Sequence, residues 1–583
     1  MVLSVTKHAK ITPKKIKYAI AAAALIVIIA VAVTLVIIFR PKDDKKIFKG
    51  AVVTNGPECS PIARDIMTKG GTVADAAVAA LFCEGLAQPY AMGLGGGFLL
   101  TMYNRTTGVV QILNSREIAP KAATKDMFKG NPDASRVGGL AVAVPAELKG
   151  YWELYKKHGG GVSWRELVQP SVDLCKTGLT VTPHLEATFK RRKPIILGDP
   201  ILSEMFVNPQ TNDVYVAGDK YTMRRLCKTL EIIADEGGDA LHNGSLTEGL
   251  VDDIKKRNGI ITVDDLHSYR PKWQAPLSIK LSSEHTVYTP PPPGSGAVVA
   301  FILNILDGFL DLNDPEAFDN YQKIVESLKF SYAKRSLLGD PEFVNITELL
   351  SSMLSKKYAE SIRSQISLNS TQTNASYYGA DTNLPDDHGT ANICILAPNG
   401  DAITVTSTTN YYFGAAFVSE STGIIMNDQM DDFSSENIIN VYDYAPSPSN
   451  FIDPGKQPMS SMSPSIIVNK EGDVEMLVGA AGGSKIITGI AQVVIRHLWY
   501  KTDLQRAMDY KRLHHQLWPM RIDMEPEFQT EDVYIAEGLR EIGHNVTFVD
   551  GLGFAAATSI TRRQGESVFG TFDRRRSGSV SYL

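Results

Sequence analysis

The 583-residue chain has five cysteines, Cys59, Cys83, Cys175, Cys227 and Cys394, with no C-x-x-C among them. So few exclude a small disulfide-built scaffold, and the spacing offers no zinc site. A bridge between Cys59 and Cys83 and a set of buried free thiols both fit these residues. A G-x-S-x-G elbow is also missing, so no hydrolase serine is signalled. In "MGLGGGF", Met92 to Phe98, the third glycine of a dinucleotide fingerprint would be Phe98, which leaves a tight turn. His514 and His515 are adjacent rather than one helical turn apart and read as structural. No metal and no cofactor are expected. Beyond the N-terminus no basic stripe occurs, and the net charge is -5, which argues against nucleic acid. With 44% hydrophobic and 21% charged residues the composition is globular, and the length permits a large core.

One segment is devoid of charge altogether. "YAIAAAALIVIIAVAVTLVIIF", Tyr18 to Phe39, would span about 33 Å as a helix at ~1.5 Å per residue, enough for a hydrocarbon layer of roughly 30 Å. "IIFRPKDD" after it holds no small-residue cleavage site, so the segment reads as an uncleaved signal-anchor. Lys and Arg are balanced on its two sides, and that rule leaves orientation open. Six N-x-[ST] sequons, at Asn104, Asn243, Asn345, Asn369, Asn374 and Asn545, all follow the anchor. They point to a cytosolic tail over 1–17, an anchor over 18–39, a stalk over 40–50 and a glycosylated extracellular domain: a single-pass type II protein of the cell membrane.

From Ala51 onward helical patterns alternate with short β-branched runs, without repeat or linker, as in one large mixed α and β unit. "TPPPPGSG" reads as a rigid turn before the apolar helical run "AVVAFILNILDGFL". In "ANICILAPNGDAITVTSTTN" the pair Asn399-Gly400 predicts a two-residue hairpin turn. That turn would pair Ala397 with Ala402, Ile395 with Thr404 and Thr390 with Thr409. Ile393 and Ile395 make one face of the first strand apolar, and Cys394 and Leu396 the other, so the strand belongs inside a layered structure.

Gly389-Thr390 opens that strand. A threonine hydroxyl is a poor nucleophile until a base takes its proton. A chain-terminal threonine carries such a base, because its α-amine has a pKa of about 7.7–8. The amine exists only if the chain is cut before Thr390, and Gly389 suits a cut, since it tolerates backbone that other residues do not. On the residues alone, a glycine and a threonine more often mark a plain strand start.

Several longer segments carry a resemblance. "NSREIAP", "SYAKRSLLGDPEFV", "DDHGTANICILAPNGDAITVTSTTNYYFGA", "NDQMDDFS", "GKQPMSSMSPSI" and "GAAGGSKIITGIAQVV" occur in order along the ectodomain. Together they resemble the gamma-glutamyltransferase (glutathione hydrolase) family, in its membrane-anchored animal form. The resemblance implies an α+β, N-terminal-nucleophile hydrolase fold, a four-layer αββα sandwich. It implies self-cleavage before Thr390 into a large chain ending at Gly389 and a small chain over 390–583, which stay associated. Thr390 would attack the γ-glutamyl amide of glutathione, its conjugates or other γ-glutamyl compounds. The acyl group would pass to water or to an acceptor amino acid or dipeptide.

The resemblance also assigns roles. Arg116, with Ser460 and Ser461, would hold the glutamyl α-carboxylate, and Asp432, Asn410 and Gln429 the α-ammonium. Many animal members have glutamate where this chain has Gln429, so the charge on that side rests on Asp432. Gly482 and Gly483, at a strand-to-helix turn, would offer N–H groups to an oxyanion. Thr408 would support the nucleophile, although the simple ladder points Thr409 at Thr390; a bulge near the strand end reconciles the two. Cys59 and Cys83 match a family disulfide, while Cys175, Cys227 and Cys394 stay open. Two competing readings are a processed but inactive adhesion or receptor ectodomain, and an amidase of the same fold. The presence of both Arg116 and Asp432 counts against the amidase.

Overall fold

A computed structural model describes residues 12–38, 47–385, 389–436, 445–562 and 567–583. The chain divides into an N-terminal unit, Met1–Ile47, and a second unit, Phe48–Leu583. Among its described residues the first contains one helix, α1 (Pro13–Ile38). Within the expected anchor, side chains are described for Tyr18 and from Ile20 to Val31, and Phe39 lies outside the described residues. Among the described residues no helix is long and apolar enough to cross a membrane. Most of the expected cytosolic tail and stalk lies outside the described residues as well.

The second unit is built on two sheets. Thirteen strands matter here: β1 (Ala51–Thr54), β2 (Gly97–Tyr103), β3 (Val110–Ser115), β4 (Lys272–Gln274), β5 (Leu277–Lys280), β6 (Thr286–Thr289), β7 (Gly389–Leu396), β8 (Ala402–Asn410), β9 (Ser465–Val468), β10 (Val474–Ala481), β11 (Ala556–Thr561), β12 (Phe569–Phe572) and β13 (Ser579–Tyr582). The first sheet runs β13-β1-β7-β8-β2-β3-β4 and the second β12-β11-β10-β9-β6-β5, with every neighbouring pair antiparallel.

Three apolar cores follow from this layering. Ile393, Ile395, Ile403 and Val405 project from the first sheet onto α2 (Cys59–Thr68), α3 (Val73–Ala87), α4 (Glu147–His158), α5 (Trp164–Thr177) and α6 (Arg224–Glu236). Met476 and Val478 project from the second onto α7 (Gly296–Leu306), α8 (Phe318–Arg335) and α9 (Lys485–Val494). Between the sheets Cys394, Leu396 and Ala402 meet Ile466, Leu477 and Ile560. The apolar two-faced strand is thus central in a helix–sheet–sheet–helix arrangement. Across the gap the Asn392 amide meets Thr558 Oγ1 at 2.6 Å.

The expected two-residue hairpin turn is not the one formed. Pairs run Leu396 with Ala402 and Ile395 with Ile403, one residue off the predicted register. Gly400 N donates to Ala397 O and Ala397 N to Asp401 O, both at 2.9 Å. Gly400 has φ +93°, while Asn399 keeps a negative φ. A two-residue turn of the expected type needs positive φ at both central positions. Pro398 explains the difference: its fixed φ sets the second position of an ordinary turn, and Gly400 follows in the left-handed conformation as a bulge.

Two disulfides staple helices on the outer face of the first sheet. Cys59–Cys83 joins α2 to α3, as expected, and Cys175–Cys227 joins α5 to α6. Cys394 is free and buried, its thiol pushed up to about 11 by burial. Of the sequons, Asn243, Asn345, Asn369, Asn374 and Asn545 are exposed and Asn104 is half-buried.

Candidate active site

Pairing between β7 and β8 slips at the start of β7. Ala391 faces Ser407 but Gly389 faces Asn410, so Thr390 stands opposite two residues, Thr408 and Thr409. Such a bulge turns side chains and bends the strand. It gives Thr408 the contact: Thr408 Oγ1 donates to Gly389 O and accepts from Asn410 N at 2.8 Å. Thr409 instead fixes backbone, its N–H donating to Ala91 O at 3.0 Å. Asn410 ends β8 at φ +73°, a conformation that asparagine tolerates better than most residues. Thr390 is only 3% exposed. A Cβ on Gly389 would lie 2.5 Å from Asn410 O, so this position accepts no side chain without backbone movement. Asp386, Asp387 and His388, just upstream, lie outside the described residues.

Beyond Asn410 lies a buried charge pair. Arg116 follows β3 and is fully buried, and its Nη2 donates to the Asp432 carboxylate. Pro458 O and Met459 O, from the two residues that precede Ser460 and Ser461 in sequence, each accept from the guanidinium at 3.3 Å. Gln429 and Asp432 share a short helical turn, and Gln429 Nε2 donates to Asp432 Oδ2 at 2.7 Å. Asn410 Nδ2 donates to Asp428 O at 3.2 Å. Among the described residues Asn410 Oδ1, Gln429 Oε1 and Asp428 Oδ2 are buried acceptors with no donor from the protein. Burial, reinforced by Asp431, holds the Asp428 carboxyl well above the usual range. Burial also raises Glu117 to about 7, with Arg116 pulling the other way.

Gly482 and Gly483 link β10 to α9 with φ +139° and +62°. A Cβ on Gly482 would sit 2.6 Å from Ala555 Cα, which excludes any other residue there. Among the described residues neither glycine donates its N–H to a protein acceptor, and no hydrogen bond joins this turn to Thr390. The next residue, Ser484, lines a polar cavity with Arg335, Gln516, Asn383 and Leu384. Arg335 Nη2 in turn donates to Ser461 Oγ at 2.9 Å, which brings the glycine turn and the serine pair to one region.

This arrangement has known counterparts. A sequence model described as Gamma-glutamyltranspeptidase matches residues 59–583. The chain belongs to this family, and it is an enzyme of that type. It is 38% identical over 537 residues to Scoloptoxin SSD14 of Scolopendra dehaani, covering 91% of this chain and 92% of that protein. It is 36% identical over 541 residues to Glutathione hydrolase proenzyme 2 of Schizosaccharomyces pombe, covering 91% and 87%. Among solved structures, cephalosporin acylase from Bacillus halodurans superposes with a TM-score of 0.78 at 23% identity, covering 93% of this chain and 99% of that one. That likeness bears on the fold alone.

Measured against the family assignment, Thr390, Thr408 and Asn410 form one connected corner, and Gln429, Asp432 and Arg116 another beside it. Ser461 accepts from Arg335, which shares a cavity with Ser484, the residue after the two glycines. His514 and His515 are buried; His514 bonds Thr488 Oγ1 and Gln516 Oε1, each at 2.9 Å, a structural role. Sequence reasoning missed Arg335 and Arg576. Arg576 arrives from the loop between β12 and β13, donates to Thr390 O and lies 5.8 Å from the Tyr90 ring. No local spacing marks either arginine, because both reach the site through long-range packing.

Proposed function

We propose that this gamma-glutamyltranspeptidase is made as one precursor that cuts itself before Thr390 and then hydrolyses glutathione or its conjugates. In cleavage, Thr390 Oγ attacks the Gly389 carbonyl carbon, whose oxygen already accepts from Thr408. The Gly389–Thr390 C–N bond breaks as the Oγ proton passes to the nitrogen. Water then hydrolyses the resulting ester to a Gly389 carboxylate and a free Thr390 hydroxyl. The new Thr390 α-amine then serves as base. It takes the Oγ proton as Oγ bonds the γ-glutamyl carbonyl carbon, and it returns the proton to the departing amine. Water or an acceptor amino acid or dipeptide resolves the acyl-enzyme.

A γ-glutamyl group carries an α-carboxylate and an α-ammonium, and the site offers a match for each. Arg116 is suited to the carboxylate by its planar fork, with Ser460 and Ser461 following its carbonyl partners in sequence. Asp432 supplies the anion for the ammonium, and Asn410 Oδ1 and Gln429 Oε1 supply neutral acceptors. The N–H groups of Gly482 and Gly483 would face the oxyanion. The observation that carries this reading is the buried Arg116–Asp432 pair flanked by acceptors without donors. The relative from Schizosaccharomyces pombe is named a glutathione hydrolase and a proenzyme, which supports both the substrate and the processing.

The domain would sit outside the cell on an anchor over Tyr18–Phe39, glycosylated at some of its sequons. The uncharged run, two disulfides and five exposed sequons favour that placement. Release of the aniline from a γ-glutamyl anilide by purified, cleaved protein tests the activity. A cleaved protein that releases none would overturn it.

A further inference from the structure

Thr390 makes a contact that the proposed chemistry does not use. The Arg576 guanidinium donates to the carbonyl oxygen of Thr390 itself. The carbonyl oxygen and the nitrogen of one residue are separated by only three bonds, so the cation lies within roughly 6 Å of Thr390 N. Cleavage would turn that nitrogen into the α-amine.

Arg576 is 7% exposed, and among the described residues no carboxylate lies within ion-pair distance of it. Its neighbour Arg575 is different, pairing with Glu525 at 2.5 Å and Asp573 at 2.9 Å. The groups packed around Arg576 and Thr390 come from several elements. Glu84 of α3 and Tyr90 lie on one side, with His184 bonded to the Tyr90 hydroxyl at 2.9 Å. Tyr412 packs edge-on to Tyr90 with centroids 5.0 Å apart, and Asp428 accepts from Tyr411 N at 2.9 Å. Arg191 faces His184. Burial raises Glu84 to about 8 and Asp428 well above its usual range, and lowers His184 to about 3. Glu84 and His184 are therefore neutral near pH 6–7, burial disfavours the charged form of Asp428, and no ion pair offsets the Arg576 charge among the described residues.

We propose that Arg576 is a positioning residue that keeps the Thr390 α-amine unprotonated. A like charge at this distance disfavours the ammonium form and lowers its pKa by about 1–3 units. The amine is then ready to accept the Thr390 Oγ proton below the pH at which an ordinary α-amine, with a pKa of about 7.7–8, would be free. The inference rests on Thr390 being exposed by cleavage and acting as nucleophile.

The test is the pH profile of kcat/KM on a γ-glutamyl anilide for the wild type, Arg576→Lys and Arg576→Gln, after a gel confirms cleavage. The wild-type acidic limb is expected at least 1 unit below 7.7, and the lysine variant is expected to keep it. In Arg576→Gln the limb is expected to move up by about 1 unit or more, costing about tenfold at pH 6 and little near pH 9. A wild-type limb at the ordinary α-amine value, or a loss in Arg576→Gln equal at every pH, would overturn the proposal. Competitive methylation of the Thr390 α-amine across pH, read by mass spectrometry, gives its pKa without activity. It separates failure of this inference from failure of the catalytic reading. Should Arg576→Gln remain uncut, the same methylation on wild type and Arg576→Lys decides, an ordinary value refuting the proposal.

Discussion

Thr408 Oγ1 donates to the carbonyl oxygen of Gly389 while accepting from Asn410 N at 2.8 Å. The hydroxyl is therefore fixed at both ends, with its proton on the carbonyl that Thr390 would attack. A donor already aimed at the oxygen where negative charge develops lowers the barrier without reorganisation.

Replacing Thr408 by valine keeps the branched shape and removes that donor. Self-cleavage is expected to slow by about 10²–10³, the usual cost of one lost oxyanion donor, while Thr408→Ser stays close to the wild type. A time course of precursor loss on a denaturing gel reads this. Equal rates for valine and serine would separate Thr408 from the cleavage step.

Gly389→Ala places its Cβ 2.5 Å from Asn410 O. The strand must shift, at a cost of about 1–3 kcal/mol, and the bulge that presents the Gly389 carbonyl to Thr408 shifts with it. Uncut chain is expected to accumulate in a folded protein with a slightly lower Tm. Normal processing would show that the close approach is irrelevant to the cut.

The buried charge pair predicts two different losses. Arg116→Lys keeps the charge but gives up the fork, and KM for a γ-glutamyl substrate is expected to rise about tenfold or more with kcat less affected. Asp432→Asn removes the nearer of the two carboxylates on buried Arg116 and leaves, among the described residues, only Glu117, 3.5 Å away. Such a break destabilises by about 3–5 kcal/mol, visible in thermal unfolding, and weakens substrate binding as well. An unchanged Tm in Asp432→Asn would contradict the burial of the pair.

Glu147 of α4 accepts from Tyr151 Oη at 2.6 Å and Ser407 Oγ at 2.8 Å, and burial raises its carboxyl to about 8. The folded state keeps this proton where the unfolded chain, with an ordinary carboxyl near 4.5, has lost it. Its contribution therefore favours the fold fully below about 4.5 and is lost as pH rises through 8. Glu147→Gln imitates the neutral acid, so the fall in Tm between pH 6 and 9 is expected to be shallower. A parallel fall in both proteins would show that Glu147 is already ionised when folded.

The layered fold was legible because β7 is apolar on both faces, a local property that only a strand between two layers satisfies. The hairpin register was misread by one residue because Pro398, beside the Asn399-Gly400 signal, chose a different turn. The bulge that matters at Thr390 came from reconciling a ladder with a family likeness, since nothing in "STTN" itself marks it. Cys175 and Cys227 pair over 52 residues, and connectivity at that distance cannot be deduced from spacing. Arg576 reaches Thr390 across 186 residues of sequence, so its role appears only in three dimensions.

The central claim is that Thr390 becomes a chain terminus by its own action. N-terminal sequencing of the small chain from purified protein tests it most directly. The account predicts a chain that starts Thr-Ala-Asn-Ile-Cys, together with a Thr390→Ala variant that stays whole. An uncut wild type, a different first residue, or normal cutting of Thr390→Ala would contradict it.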